Sequence, residues 1–148
     1  MLLAAVGESI TRVTAFTSLL QPGLAPKDTA NATLKLSNGK SGTFNLSFGT
    51  KFMNGFEIQI MTDKGVVKMS DKGVIVLKHG DADDREKFIA REFPFNDSLN
   101  REIGVFAQGI LTKTVEVRGM PQEALEDLKV MQAIIESGEE GGAVKLIR

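Results

Sequence analysis

The chain has no cysteine, no tryptophan, no tyrosine and a single histidine. Without cysteine there are no disulfides, no thiolate nucleophile and no zinc–thiolate site. No Gly-x-Gly-x-x-Gly occurs, so the chain carries no dinucleotide-binding fingerprint of its own. It also lacks any long block of one charge sign. With 18 basic and 19 acidic residues the formal net charge is -1, which gives no electrostatic case for nucleic acid or an anionic membrane as a partner. The apolar start, Met1 to Val6, is far too short for a signal sequence or a membrane span and has no basic region before it. The expectation is a soluble, non-secreted, cytoplasmic chain. Nine phenylalanines with no polar aromatic beside them should lie mostly in a core. The 148 residues suit one domain over 1–148, large enough to bury roughly 70% of the surface its unfolded form exposes.

What is present centres on the stretch from Asp28 to Thr62. Two strict alternations flank Ser37-Asn38-Gly39-Lys40, and Asn-Gly between alternating runs is a strong hairpin signal because both residues accept positive φ. A third strand follows. One face collects Ala30, Ala32, Leu34, Leu36, Phe44, Leu46, Phe48, Phe56, Ile58 and Ile60, and reads as a core wall. The other carries Asn31, Thr33, Lys35, Thr43, Asn45, Ser47, Glu57, Gln59 and Met61. This pattern fits an antiparallel sheet with one face packed and one open. The open face must meet water, substrate or another subunit.

Upstream, Met1 to Val6 followed by Gly7 reads as the last turns of a helix, so residues 1–7 look like the remnant of a preceding element. Ile10 to Leu20 is strand-like, with Ile10, Arg12, Thr14 and Phe16 on one side and Thr11, Val13, Ala15 and Thr17 on the other. Gln21 to Lys27, with two prolines and a glycine, is a loop. Downstream, Asp63-Lys64-Gly65 and Asp71-Lys72-Gly73 punctuate a meander, and Lys87 to Phe93 returns as a strand. Asn96, Asp97 or Ser98 caps a helix whose Leu99, Ile103, Phe106 and Ile110 form one buried stripe. Pro121 opens a second helix, with Ala124, Leu125, Leu128, Met131 and Ile135 along one face and Gly138 as its stop. Ala143 to Ile147 is a short terminal strand. Grouped strands with few helices predict an α+β fold: an open, mainly antiparallel sheet with two or three helices packed on one face.

No catalytic constellation emerges. His79 sits at a strand end beside Gly80 and reads as a turn residue. Asp81, Asp83 and Asp84 alternate like calcium ligands, but the sixth and twelfth positions counted from Asp81 are Glu86 and Glu92, so the loop glycine is missing and a solvated acidic loop is favoured. Ser37 to Gly42 is followed by a strand, where a phosphate-binding loop needs a helix. No metal site is expected.

Several segments, taken in order, resemble the C-terminal domain of the Gfo/Idh/MocA family of nicotinamide-dependent oxidoreductases, the family of glucose-fructose oxidoreductase and inositol dehydrogenase. They are Ile10 to Phe16, Asp28 to Gly39, Gly42 to Ser47, Asp63 to Gly65, and the ending from Pro121 to Leu128 and from Ser137 to Gly141. The resemblance implies a substrate-binding and oligomerisation half, with NAD or NADP held by an N-terminal Rossmann domain of a full-length relative, in cis or in trans, and no cofactor in this chain. The family's catalytic lysine and histidine or aspartate map to no residue here, so no catalytic residue is assigned. A small sugar or polyol substrate would meet Asn45, Ser47, Lys51 and Phe52. A homodimer would form through Asn31, Thr33, Lys35, Glu57, Gln59 and Met61. Two alternatives remain open: a stand-alone binding or dimerisation module, and a cofactor-independent isomerase, cyclase or lyase using Lys35, Glu57 or Lys51 as acid or base.

Overall fold

The computed structural model describes residues 7–51, 54–63, 65–70, 74–79, 88–92, 98–114 and 120–147. The elements run β1 (Ile10–Ser18), a 3-10 turn (Pro22–Leu24), β2 (Thr29–Leu36), β3 (Ser41–Ser47), β4 (Glu57–Thr62), β5 (Gly65–Ser70), β6 (Val74–His79), β7 (Phe88–Glu92), α1 (Ser98–Thr112), α2 (Pro121–Glu139) and β8 (Lys145–Leu146). This is the α+β class predicted, and every strand pairing among the described residues is antiparallel. The α-carbon contacts divide the chain into two compact units, residues 1–52 with 117–148 and residues 53–116.

The strands form two sheets, ordered β3-β2-β1-β8 and β4-β5-β6-β7. The strand from Glu57 to Thr62, expected beside the hairpin, instead pairs with β5 from Glu57↔Ser70 to Thr62↔Gly65. Alternation tells which side chains share a face, but not which neighbour completes the ladder. The tight turn into β5 settles the pairing, because a strand most often pairs with the one its shortest connection reaches.

In the first unit the buried core is Ile10, Val13 and Ala15 of β1, Ala32 and Leu34 of β2, and Val130, Ala133 and Ile134 of α2. Full burial of each Val, Leu or Ile contributes about 1.5–3 kcal/mol. A register irregularity between Ile10 and Arg12 puts Ile10 on the same side as Val13, so β1 loses strict alternation at its start. The hairpin turn also differs in type from the expected one. Gly39 N–H donates to the Leu36 carbonyl at 3.0 Å and Leu36 N–H to the Lys40 carbonyl at 2.9 Å, while Gly39, but not Asn38, has positive φ (83°). That geometry is a three-residue loop with glycine in the left-handed position. Asn38 serves through its side chain, accepting the Lys40 N–H at 3.0 Å.

Three packing expectations are corrected. Phe48 lies just past the end of β3 and is 70% exposed, outside the core wall, whereas Phe44 packs against the core. On α2 the buried face is Val130, Ala133, Ile134 and Ser137, while Leu125, Leu128 and Ile135 are exposed. Small residues decide this. Gly138, expected as a stop, is helical, and a Cβ there would meet Thr17 Oγ1 at 2.5 Å, so its lack of a side chain lets α2 close on β1. The helix ends instead at Glu139, with Gly141 at φ 68° and the Gly142 N–H returned to the Ser137 carbonyl at 2.8 Å. In the second unit, Leu99, Ile103, Phe106 and Ile110 of α1 are all exposed rather than buried. Their spacing makes an apolar stripe, and no element packs over it among the described residues.

The second sheet is a plain meander in which Ile58 and Ile60 are half-buried and Glu57, Gln59 and Met61 exposed. The expected features at 1–6, Lys64, 71–73, 80–87 and 93–97, and Phe52, lie outside the described residues.

Candidate functional site

The face of the first sheet opposite α2 is built by cross-strand register. Residues directly opposite on antiparallel strands share a face, with Cβ atoms about 4.5–5.5 Å apart. The pairings give four rows: Ser41–Lys35–Arg12–Leu146, Thr43–Thr33–Thr14, Asn45–Asn31–Phe16 and Ser47–Thr29–Ser18. Hydroxyls, amides and two cations dominate these rows, and no carboxylate stands in any of them. Arg12, Asn31, Thr33, Lys35, Ser41, Thr43 and Asn45 are exposed. A shallow depression of about 490 Å³ includes Arg12, Thr14, Thr33, Lys35, Ser41 and Val144 in its lining.

The far end of this face is anchored by Asp28, which is buried at 4% exposure. Its Oδ1 accepts the Leu20 N–H at 2.9 Å and the Thr29 hydroxyl at 3.0 Å, and its Oδ2 accepts the Gln21 N–H at 2.8 Å. Burial pushes the carboxyl's pKa up, but the Leu20 and Gln21 amides and the Thr29 hydroxyl outweigh it and leave the pKa below its ordinary value. The Thr29 hydroxyl also bonds Ser47 Oγ at 2.8 Å. Gly49 is buried against the carboxylate, where a Cβ would meet Oδ2 at 2.5 Å. One carboxylate thereby fixes the loop after β1, the start of β2 and the end of β3.

A second anchor sits on the helix side. Ser137 Oγ accepts the Ala15 N–H at 2.8 Å and donates to the Ala143 carbonyl at 2.6 Å. β8 pairs only with Arg12 and Val13, so Ala15 has no strand neighbour on that side, and the serine hydroxyl completes the ladder.

Of the residues expected to touch substrate, Asn45 is exposed on the third row, Ser47 is half-buried with its hydroxyl held in the Thr29–Asp28 chain, and Lys51 is exposed in the loop after β3. Phe52 is outside the described residues. Of the expected interface residues, Asn31, Thr33 and Lys35 share this face. Glu57, Gln59 and Met61 belong to the other sheet, where Glu57 lies 4.0 Å from Lys68. Arg12 and Thr14 complete the first two rows but were not singled out from the sequence. Alternation assigned them a side of β1, and only the register sets them opposite Lys35 and Thr33. Among the described residues no group of His, Cys, Asp and Glu could hold a metal ion, and no helix is long and apolar enough to cross a membrane.

The family model described as "Oxidoreductase family, C-terminal alpha/beta domain" matches residues 2–146. The chain belongs to the Gfo/Idh/MocA oxidoreductase family, as its C-terminal domain. The dehydrogenase FPY6 of Fusarium mangiferae is 33% identical over the whole chain, which covers 42% of that protein. Two solved structures share the fold of this chain. The oxidoreductase domain protein from Kribbella flavida matches with a TM-score of 0.85 at 14% identity, over 99% of this chain and 47% of its own. The aldose-aldose oxidoreductase from Caulobacter crescentus, complexed with glycerol, matches with a TM-score of 0.76 at 19% identity, over 98% and 43%. The chain thus spans less than half the length of these relatives.

Proposed function

We propose that this chain is the substrate-side and oligomerisation half of a nicotinamide-dependent oxidoreductase acting on a sugar or polyol, and that two copies pair through the open face of the first sheet. The observation that carries this reading is the row structure of that face. Hydroxyl and amide side chains standing in register offer donors and acceptors at a spacing suited to a polyhydroxy compound, and the same groups suit a wet interface between two copies. The glycerol bound by the Caulobacter relative supports the substrate class.

The sequence holds no Gly-x-Gly-x-x-Gly, the turn that cradles a pyrophosphate at a helix start. Hydride chemistry is therefore assigned to a Rossmann domain outside these residues. The role of this chain's side chains is to bind and orient. Asn31, Asn45, Thr33 and Thr43 offer hydrogen bonds, and the Asp28 clamp holds their strands in register.

An NMR titration of the 15N-labelled chain tests the assignment. Sorbitol should move amides of β2 and β3 around Asn31 and Asn45, and NADH should move none. Saturable shifts with NADH would overturn the placement of the dinucleotide elsewhere. For the pairing, a Thr33→Glu/Lys35→Glu double variant should convert a dimer to a monomer in light scattering. An unchanged mass places the interface on another surface.

A further inference from the structure

Arg12 and Lys35 face each other across β1 and β2 in the first row of the open face, and both are exposed. Like charges directly opposite on neighbouring strands destabilise a sheet, so the pair needs a reason. Neither has an ion-pair partner among the described residues. The acidic residue closest along the chain, Glu8, is engaged by the Ser37 hydroxyl at 2.5 Å. Around the two cations stand the hydroxyls of Thr14, Thr33 and Ser41, and Val144 closes one side of the same depression.

A guanidinium offers a fork of donors, an ammonium adds a compact charge, and neighbouring hydroxyls turn to suit what lies between them. We infer that the Arg12–Lys35 pair is an oxyanion subsite, which takes the carboxylate or phosphate of a small polyhydroxy compound whose hydroxyls lie along the threonine row. The oxyanion offsets the repulsion between the cations and makes charge-assisted hydrogen bonds to both. This goes beyond the sugar or polyol reading, because it specifies an acidic or phosphorylated substrate rather than a neutral one. It takes the face of an unpaired chain as the site: two copies paired through Thr33 and Lys35 would cover it, so ligand and pairing compete. Light scattering of the same samples reads that pairing separately.

The test is amide-shift titration of the full chain with gluconate, glucose 6-phosphate and glucose at low ionic strength, where screening is weakest. Gluconate or glucose 6-phosphate should shift residues 12–14 and 33–35 saturably, at least about ten-fold more tightly than glucose, the equivalent of one good charge-assisted contact. Tighter gluconate identifies a carboxylate, and tighter glucose 6-phosphate a phosphate. An Arg12→Gln/Lys35→Gln variant with an unchanged far-UV spectrum should lose the preference over glucose. A second readout is thermal. The bound oxyanion should raise the melting midpoint of the wild-type chain and leave that of the variant unmoved. Equal affinity for all three compounds, shifts confined to other residues, or a preference that survives in the double variant overturns the proposal.

Discussion

Replacing Ser137 by alanine tests the helix–sheet packing at its tightest point. The side chain is fully buried, and its hydroxyl is shared between the Ala15 N–H and the Ala143 carbonyl. Alanine removes the hydroxyl and leaves both backbone groups without their partner. Ala15 is itself fully buried, so its N–H takes the full penalty of an unsatisfied buried donor, about 1–3 kcal/mol. The Ala143 carbonyl is only partly buried and can turn to water, so its loss is nearer the net value of one hydrogen bond, about 0.5–1.5 kcal/mol. Alanine's better helix propensity returns up to about 0.5 kcal/mol. The expected destabilisation is therefore about 1–4 kcal/mol, read by urea unfolding with the slope unchanged. Gln132→Ala is the control: its amide bonds Glu136 at 2.8 Å on the exposed side of the same helix, a contact expected to contribute only about 0.2–0.5 kcal/mol. If Ser137→Ala costs no more than Gln132→Ala, the hydroxyl does not complete the β1 ladder and the account of this packing fails.

Four other outcomes follow from the same structure. Thr17 Oγ1 is buried without a hydrogen-bond partner, so Thr17→Val, which keeps the shape, should stabilise the chain by about 1 kcal/mol in chemical unfolding. Gly138→Ala places a methyl within 3 Å of the Thr17 side chain and should cost about 1–3 kcal/mol by overpacking, a loss that Thr17→Ala made together with it should partly restore. Phe44→Ala should destabilise by about 2 kcal/mol or more and Phe48→Ala by less than about 1 kcal/mol, since only the former packs on the core; equal losses would mean the end of β3 is wrongly placed. The Asp28 carboxyl has a lowered pKa in the folded chain, so its stabilisation is present above its unfolded value of 3.8 and is lost as pH falls through the folded value. The difference in melting midpoint between wild type and Asp28→Asn should accordingly be widest near neutral pH and shrink below about pH 4. A pH-independent difference would remove the carboxylate from that role.

Much of the fold could be read in the residues because the relevant signals are local. Strict alternation in Ala30 to Leu36 and in Thr43 to Ser47 separated the helix-covered face from the open one, and Asn38-Gly39 marked the hairpin even though only Gly39 takes positive φ. Pro121 and Glu123 marked the start of α2 correctly. The errors share one cause: apolar spacing says that a stripe exists, but not whether anything covers it. Leu99, Ile103, Phe106 and Ile110 form such a stripe and stand exposed, while α2 buries Ala133 and Ser137 in preference to Leu125 and Leu128 because small side chains permit the closest approach to β1. The open face was legible as polar. Its rows were not, because a row depends on the register between strands, which sets Arg12 opposite Lys35 and Thr14 opposite Thr33.

The sequence by itself determined the α+β class, the antiparallel hairpin, the polarity of its two faces and, through the order of its segments, the family. These are consequences of side-chain period and turn chemistry, which act over a few residues. Only the tertiary structure decided that β4 leaves the hairpin's sheet, that Ser137 takes the amide of Ala15 from the other end of the chain, and that Arg12 stands opposite Lys35. Each of those depends on which strands meet and in what register, and that is fixed by the packing of distant segments.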